Sequence, residues 1–408
     1  MRLLLISQLF TPEPTTKGLE FALELTKRGY TVDVLTGFPN YPGGRIYSGY
    51  KGWWYQHEVI DGIHIHRVPI FPSHDHSAVK RVITYLSFAL SASLVVNFVV
   101  SRPTVALVYY PSLTASVPAM LLRYLRGVPF VYDIQDLWPD SLAATGMMRQ
   151  RWQLRLVSLW CDLIHRSASK IVVLSEGFRS ELIARGVPDA RVKVIYNWCL
   201  TAPMSPLKAI NSSRPVALCD RFNVMFTGNF GRAQALDVVL DAAQRLRATA
   251  PNVQFVLVGS GVEEHRLKEI AAAKGLSNVL FIARVPAAEI GQLMQHADAL
   301  LVTLRPDPLF ELTIPSKTQS YMAAGRPIVM AVAGDSAELV RRANCGVTSV
   351  PGDAEALAEA VCALANLSPT ILDAMGRAGA DFYDAELSLQ IGVGHFDKVF
   401  REVSGLQH

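Results

Sequence analysis

The chain has 408 residues, of which half are hydrophobic and 18% charged, and its formal charge is +4. That composition excludes an intrinsically disordered chain, and the length exceeds one ordinary core, so two domains are expected. The mild positive charge suits anionic ligands or a phospholipid surface. It is too weak for a nucleic-acid partner, given no basic run interleaved with aromatics.

Met1-Arg2-Leu3-Leu4-Leu5-Ile6 opens the chain, and Gln8, Thr11, Pro12 and Glu13 soon break the apolar run. The run is too short for a signal peptide and reads as a strand at 3–7. A helix over 17–28 follows, with Leu19, Ala22, Leu23 and Leu25 inward and Gly29 as its stop. Residues 31–36, 105–109, 130–132, 171–174 and 192–195 are the next strands. Between the strands at 31–36 and 105–109, the stretch 82–100 carries no charge; Lys80 and Arg81 precede it and Arg102 follows. As a helix it would extend about 28 Å, near the thickness of a bilayer core. Thr84, Ser87, Ser91, Ser93 and Asn97 weaken a spanning reading. Three readings stay open: a buried crossover helix, a helix or hairpin dipping into one leaflet, and a true span. Phe88 lies in this stretch. Trp53 and Trp54, beside Lys51 and Tyr55, could add an interfacial anchor.

Residues 198–222, with Pro203, Pro206, Asn211, Ser212, Ser213, Arg214 and Pro215, interrupt the alternation and read as a linker. The rhythm restarts with strands at 224–227, 254–258, 279–282, 299–302 and 328–330. The expected fold is α/β, with Rossmann-like domains over 1–197 and 223–380 and an inter-domain cleft. A C-terminal helix in 381–408 is expected to return to the first domain.

Three loops carry anion chemistry. Gly228-Asn229-Phe230-Gly231-Arg232 and Gly259-Ser260-Gly261 each follow a strand, where glycine lets the backbone approach a phosphate. Either could equally be an ordinary strand-to-helix turn. Pro315-Ser316-Lys317 starts a helix, whose free N–H groups and partial positive charge suit a diphosphate; the alternative is a solvated surface lysine. No Gly-Lys-Ser/Thr loop occurs and no Gly-x-Gly-x-x-Gly follows the first strand, which argues against a Walker A protein or a dinucleotide oxidoreductase. The five cysteines are widely spaced without a Cys-x-x-Cys pair, so neither a disulfide framework nor a zinc site is indicated, and a reducing cytoplasm fits.

In order along the chain stand Phe10-Thr11-Pro12-Glu13, Thr36-Gly37-Phe38-Pro39-Asn40-Tyr41-Pro42, Asp61-Gly62-Ile63 and Asp133-Ile134-Gln135-Asp136-Leu137-Trp138-Pro139. Gly228 to Gln234, Pro315-Ser316-Lys317, Tyr321 to Pro327 and Pro351-Gly352-Asp353 follow. With this ordered set the chain resembles glycosyltransferase family 4, of the two-domain GT-B type, and within it the WbuB/WcaI-like branch that builds bacterial surface polysaccharides. The resemblance implies a retaining, metal-independent transfer from a nucleotide sugar, usually a UDP-sugar, held by the C-terminal half and needing no cofactor. An N-acetylated amino or deoxyamino sugar is among the donors it suggests. The implied acceptor is a polyprenyl-diphosphate-linked sugar at the cytoplasmic membrane face, in O-antigen or similar glycan assembly.

Carried over by position, Gly231, Arg232 and Lys317 fall near the diphosphate, with Gly259 on the same edge. Gly18, in Thr15-Thr16-Lys17-Gly18, matches a family glycine that meets phosphate, or is simply a helix start. Two family glutamates are displaced: Ser320 stands at the ribose position, and Glu311 lies one residue from the sugar position, where the alternative is a solvated loop carboxylate. Gln234 replaces a common lysine, leaving Arg232 as the expected cation. Tyr109-Tyr110-Pro111-Ser112 lacks the histidine many relatives have. Asp136 is then the remaining acid–base candidate, or else an Asx turn before Pro139. His74 and His76 flank a loop that could approach an acceptor diphosphate or be merely exposed. The different classes kept beside the transferase are a nucleotide-sugar 2-epimerase and a non-catalytic nucleotide-sugar-binding protein.

Overall fold

A computed structural model describes residues 1–73, 78–109, 113–144, 147–148, 150–199 and 215–405. His74, His76, Tyr110-Pro111-Ser112 and most of the expected linker lie outside the described residues. The chain divides into two compact units, one comprising Met1–Tyr196 with Leu389–His408, the other Asn197–Ser388. The second unit therefore extends beyond 223–380, and residues 381–388 stay with it. Only from Leu389 does the chain rejoin the first unit.

The first unit is built on eight strands: β1 (Arg2–Ser7), β2 (Thr31–Gly37), β3 (Gln56–Ile60), β4 (Ile63–Val68), β5 (Val105–Tyr109), β6 (Phe130–Ile134), β7 (Lys170–Val173) and β8 (Val192–Val194). Their order is β3-β4-β2-β1-β5-β6-β7-β8, and among the described residues only β3 runs antiparallel. The β3–β4 hairpin is absent from the periodicity reading. Its turn is Asp61-Gly62, both at positive φ (50° and 83°), the pairing a two-residue reversal needs.

Helices cover both faces of this sheet because neighbouring residues on a strand point to opposite sides. On β6, Tyr132 lies 6.3 Å from the His165 ring on α4 (Arg151–Ser167), whereas Asp133 points to the other side, toward Lys17. That other layer holds α1 (Leu19–Lys27) and the C-terminal helix Leu389–Ser404, joined by Phe21 and Phe396 at 5.4 Å and by Tyr30 Oη donating to Asp397 at 2.6 Å. The inward residues of α1 are Phe21, Ala22 and Leu25; the helix begins at Leu19, so Lys17 precedes it.

The α4 side also holds α2 (Ala78–Val99), over β2 and β4, and α3 (Ser116–Arg126), over β5 and β6. The uncharged stretch 82–100 is neither wholly buried nor free. Thr84, Phe88, Ala92 and Val96 pack inward, while Leu86, Leu90, Leu94 and Phe98 face outward. Phe88 is completely buried, which removes it from the acceptor and membrane contacts.

The second unit is an all-parallel sheet of β9 (Phe222–Asn229), β10 (Val253–Ser260), β11 (Val279–Ile282), β12 (Ala299–Thr303), β13 (Ile328–Ala331) and β14 (Gly346–Thr348). The linker expectation overruns at its end, since β9 already starts at Phe222. The order β11-β10-β9-β12-β13-β14 reverses direction between β9 and β12, the topological switch point where open α/β sheets bind ligands. Val224 and Phe226 of β9, with Leu257, Leu301 and Val329 of neighbouring strands, meet Leu240 and Val361 from the covering helices. This continuous apolar core fixes the strand ends that carry the glycines.

Candidate active site

β9 and β10 run in register to their ends, where Gly228 pairs with Gly259. Both have φ near 147° (146° and 147°), open only to glycine. A Cβ on Gly259 would stand 1.8 Å from the Gly228 carbonyl oxygen, and one on Gly261 would stand 2.5 Å from that of Phe230. The two loops thus nest backbone against backbone, and the Phe230 N–H donates to Ser260 O at 2.8 Å. Beside them opens a cavity of about 430 Å³ lined by Thr227, Gly228, Ser260, Arg284, Val285 and Ile290. Gly259 and Gly261 have no room for a Cβ against backbone, whereas Gly228 is held to glycine by its φ alone; at Gly231 a Cβ would stand 2.8 Å from the Asn229 side-chain amide, a group that can move aside.

Helix α5 (Ser316–Ala323) supplies the cation. Lys317 and Tyr321 are one turn apart and so share a face. Tyr321 Oη accepts the Thr227 N–H at 2.8 Å and lies 3.0 Å from Thr227 Oγ1, which holds the end of β9 against α5. Lys317 Nζ sits 3.7 Å from the centre of the Phe226 ring and donates to Gln234 Oε1 at 2.8 Å. Burial pushes the Lys317 amine down to about 7. Its Nζ also lies 3.4 Å from where a Gly228 Cβ would stand, directly over the bare turn. A largely desolvated amine over a glycine loop, at a helix start, is an arrangement whose chemistry suits an anion.

Arg232 is placed differently. Its side chain is 84% exposed, and its Nε donates to Glu263 at 3.2 Å. Arg266 donates to the same carboxylate at 2.6 Å, and these two arginines, Arg266 foremost, hold Glu263 below the usual carboxylate range. The desolvated cation is therefore Lys317, while Arg232, the cation expected from the sequence, lies exposed and paired with Glu263. Gln234, which seemed a lost cation, is the residue that orients Lys317.

Glu311 ends the short helix Pro308–Glu311 and is exposed. Gly334 makes its position, because at φ 70° a Cβ there would stand 2.0 Å from Glu311 O. Ser320 is half-buried, with its hydroxyl turned back toward Ser316 O at 3.5 Å.

In the first unit, Gly18 caps α1 without a side-chain bond, and a Cβ there would stand 3.1 Å from Thr15 O. Lys17 is fully buried, 3.2 Å from Asp133 Oδ2 and 5.1 Å from the centre of the Tyr109 ring. Burial lowers the Lys17 pKa and raises that of Asp133, and each opposes the other's shift. Sequence reasoning missed this pair, because the two residues are far apart in the chain. Asp136 is exposed after β6; burial raises the pKa of Tyr85 on α2, Arg81 opposes that shift, and the Asp136 charge adds a smaller rise. Trp53 and Trp54 are 73% and 70% exposed. Among the described residues no group of three or more His, Cys, Asp or Glu is placed to hold a metal ion.

Residues 15–198 match the family described as Glycosyl transferase 4-like domain, and 221–366 match Glycosyl transferases group 1. The chain belongs to glycosyltransferase family 4. Among curated relatives of this GT-B transferase, the putative colanic acid biosynthesis glycosyl transferase WcaI of Escherichia coli K12 is 25% identical over 342 residues. That match covers 80% of this chain and 82% of WcaI. The probable glycosyltransferase WbjE of Pseudomonas aeruginosa is 27% identical over 63% of this chain and 65% of its own. Both are named as glycosyltransferases, and WcaI is named for colanic acid biosynthesis. Solved structures agree on the fold. Anabaena Alr3699/HepE in complex with UDP is 16% identical, with 98% of this transferase and 100% of that chain covered and a TM-score of 0.66. The Thermosynechococcus elongatus sucrose-phosphate synthase is 17% identical, with full coverage of both and a TM-score of 0.73.

Proposed function

We propose that this glycosyltransferase takes its sugar from a UDP-sugar and passes it, with retained anomeric configuration, to a polyprenyl-diphosphate-linked sugar at the cytoplasmic membrane face. The observation that carries the donor is Lys317, desolvated over the Gly228–Gly259 turn beside a cavity of about 430 Å³. That arrangement suits a nucleoside diphosphate, with the nucleoside in the cavity and the diphosphate between the amine and the N–H groups of α5. HepE has been solved with UDP, with UDP and glucose, and with UDP-glucose, which supports the same donor class.

In the transfer, the bond from the anomeric carbon to the diphosphate oxygen breaks as the acceptor hydroxyl oxygen bonds to the same face of that carbon. The hydroxyl proton passes to the departing diphosphate. Lys317 and the α5 N–H groups stabilise the charge growing on that leaving group. Asp136 orients the acceptor hydroxyl and Glu311 the donor sugar. The transferases and synthases among the relatives disfavour the epimerase and the non-catalytic binder. Incubating a panel of UDP-sugars with a short polyprenyl-diphosphate sugar, with products read by mass spectrometry and anomeric NMR, tests the reading. An α-linked product from an α-linked donor supports it; an inverted product, acceptor-free epimer or no turnover with any donor refutes it.

A further inference from the structure

The helical layer formed by α2, α3 and α4 is apolar on the side turned away from its sheet. More than half of the exposed large hydrophobic side chains among the described residues lie on these three helices, while α1 and the C-terminal helix, on the opposite face, leave none. On α2 the outward stripe is Leu86, Leu90, Leu94 and Phe98, the last 87% exposed. On α4 it is Trp152, Leu156, Leu159 and Leu163, again at helical spacing. Tyr124 and Leu125 of α3 lie between, and α3 packs against both neighbours. Soluble surfaces rarely gather so much apolar area without a partner.

The charges on the same helices identify that partner. Lys80 on α2, Arg123 on α3, and Arg151 and Arg155 on the first turns of α4 are exposed, whereas Arg126 is half-buried and donates to the Asn97 and Val100 carbonyls. Against them α2 and α3 contain no Asp or Glu, and α4 contains only Asp162. A greasy face of several helices edged by one sign of charge is complementary to anionic lipid, whose headgroups meet the cations while its acyl chains meet the stripe. Crossing the bilayer is a different matter. The inner side of α2 (Phe88, Ala92, Val96) is wholly packed within the unit, and stripping it off would expose that core.

We infer that the outer face of α2, α3 and α4 is a docking surface on which the enzyme lies against an anionic phospholipid bilayer, with α2 along the membrane plane. The inference rests on the membrane-facing acceptor of the proposed function and names the surface that would meet it. It adds α4, which hydropathy along the chain does not single out because Gln, Arg, Ser, Asp and His are interspersed among its apolar residues.

Flotation of the full chain with phosphatidylcholine vesicles, and with equal parts phosphatidylcholine and phosphatidylglycerol, tests it; UDP affinity reports folding of the donor unit. The chain should float with anionic vesicles and be released by salt. Leu90→Glu with Leu94→Glu, and separately Leu156→Glu with Leu159→Glu, should each weaken this binding at least about tenfold. Arg151→Glu with Arg155→Glu should abolish the preference for anionic vesicles. All should keep wild-type UDP affinity and circular dichroism; a pair that does not is replaced by the corresponding Leu→Gln pair. Failure of the wild-type chain to float, or no effect of the α4 pair, overturns the docking surface. So does a wild-type dimer that these substitutions dissociate, which would make the face a contact between copies. Vesicle binding without any sugar transfer would count against the proposed function and leave the docking surface standing.

Discussion

Donor binding should take up a proton, and Lys317 is the reason. Burial holds its amine at about 7 in the free enzyme. A bound diphosphate favours the charged amine and raises that value, so affinity is full below 7 and falls as pH rises through it. With a free value near 7, roughly nine-tenths of the amine is protonated at pH 6 and about one-tenth at pH 8. If only the ammonium form binds well, nucleotide-sugar affinity drops about tenfold across that interval, or ~1.4 kcal/mol. About 0.9 proton should be absorbed per ligand at pH 8 and about 0.1 at pH 6. Isothermal titration in two buffers of different ionisation enthalpy reads both quantities. A nucleotide sugar is the ligand of choice because its diphosphate does not itself titrate there. Lys317→Met should bind weakly at every pH and lose the slope. A flat affinity from pH 6 to 8 with no proton uptake, or a slope that survives Lys317→Met, would refute the reasoning.

Other outcomes follow from the same geometry. Gly259→Ala, forced to φ 147° with its Cβ 1.8 Å from Gly228 O, should cost on the order of 3 kcal/mol in urea unfolding of the second unit and abolish measurable UDP binding. Tyr321→Phe leaves the Thr227 N–H without its acceptor, so a loss of about 1–3 kcal/mol with weakened UDP affinity is expected. Lys17→Met strands the Asp133 carboxylate in the first unit and should cost about 3–5 kcal/mol. Adding Asp133→Asn should restore much of that stability, as read by thermal unfolding of the double variant. Asp136→Ala, which removes the group that orients the acceptor hydroxyl, should slow transfer about a hundredfold while leaving UDP affinity intact. Equal kcat in the two proteins would remove Asp136 from the chemistry.

Alternating strand and helix patterns identify the two parallel sheets without coordinates, because buried strands of such sheets are continuous apolar runs. The β3–β4 hairpin escaped that reading. Its strands sit at a sheet edge and mix His and Glu with Val and Ile, so neither period dominates, although Asp61-Gly62 carried the turn signal. In the candidate site the two glycine loops and Lys317 were legible as local motifs. The roles of their neighbours were not. Gln234 counted as a lost cation and is a lysine's hydrogen-bond partner; Phe88 counted as a membrane contact and is core.

The residue order by itself determined the alternating architecture, the family and the loops able to approach a phosphate, since these depend on periodicity and on glycine and proline at particular positions. Only the tertiary structure decided which cation is desolvated, which glycines have no room for a Cβ, and that Lys17 is already matched by Asp133. Those properties depend on distances between segments far apart in the chain. The same holds for the apolar face of α2, α3 and α4. Hydropathy marks one of its helices, but which side of each helix the sheet leaves uncovered is settled only by packing.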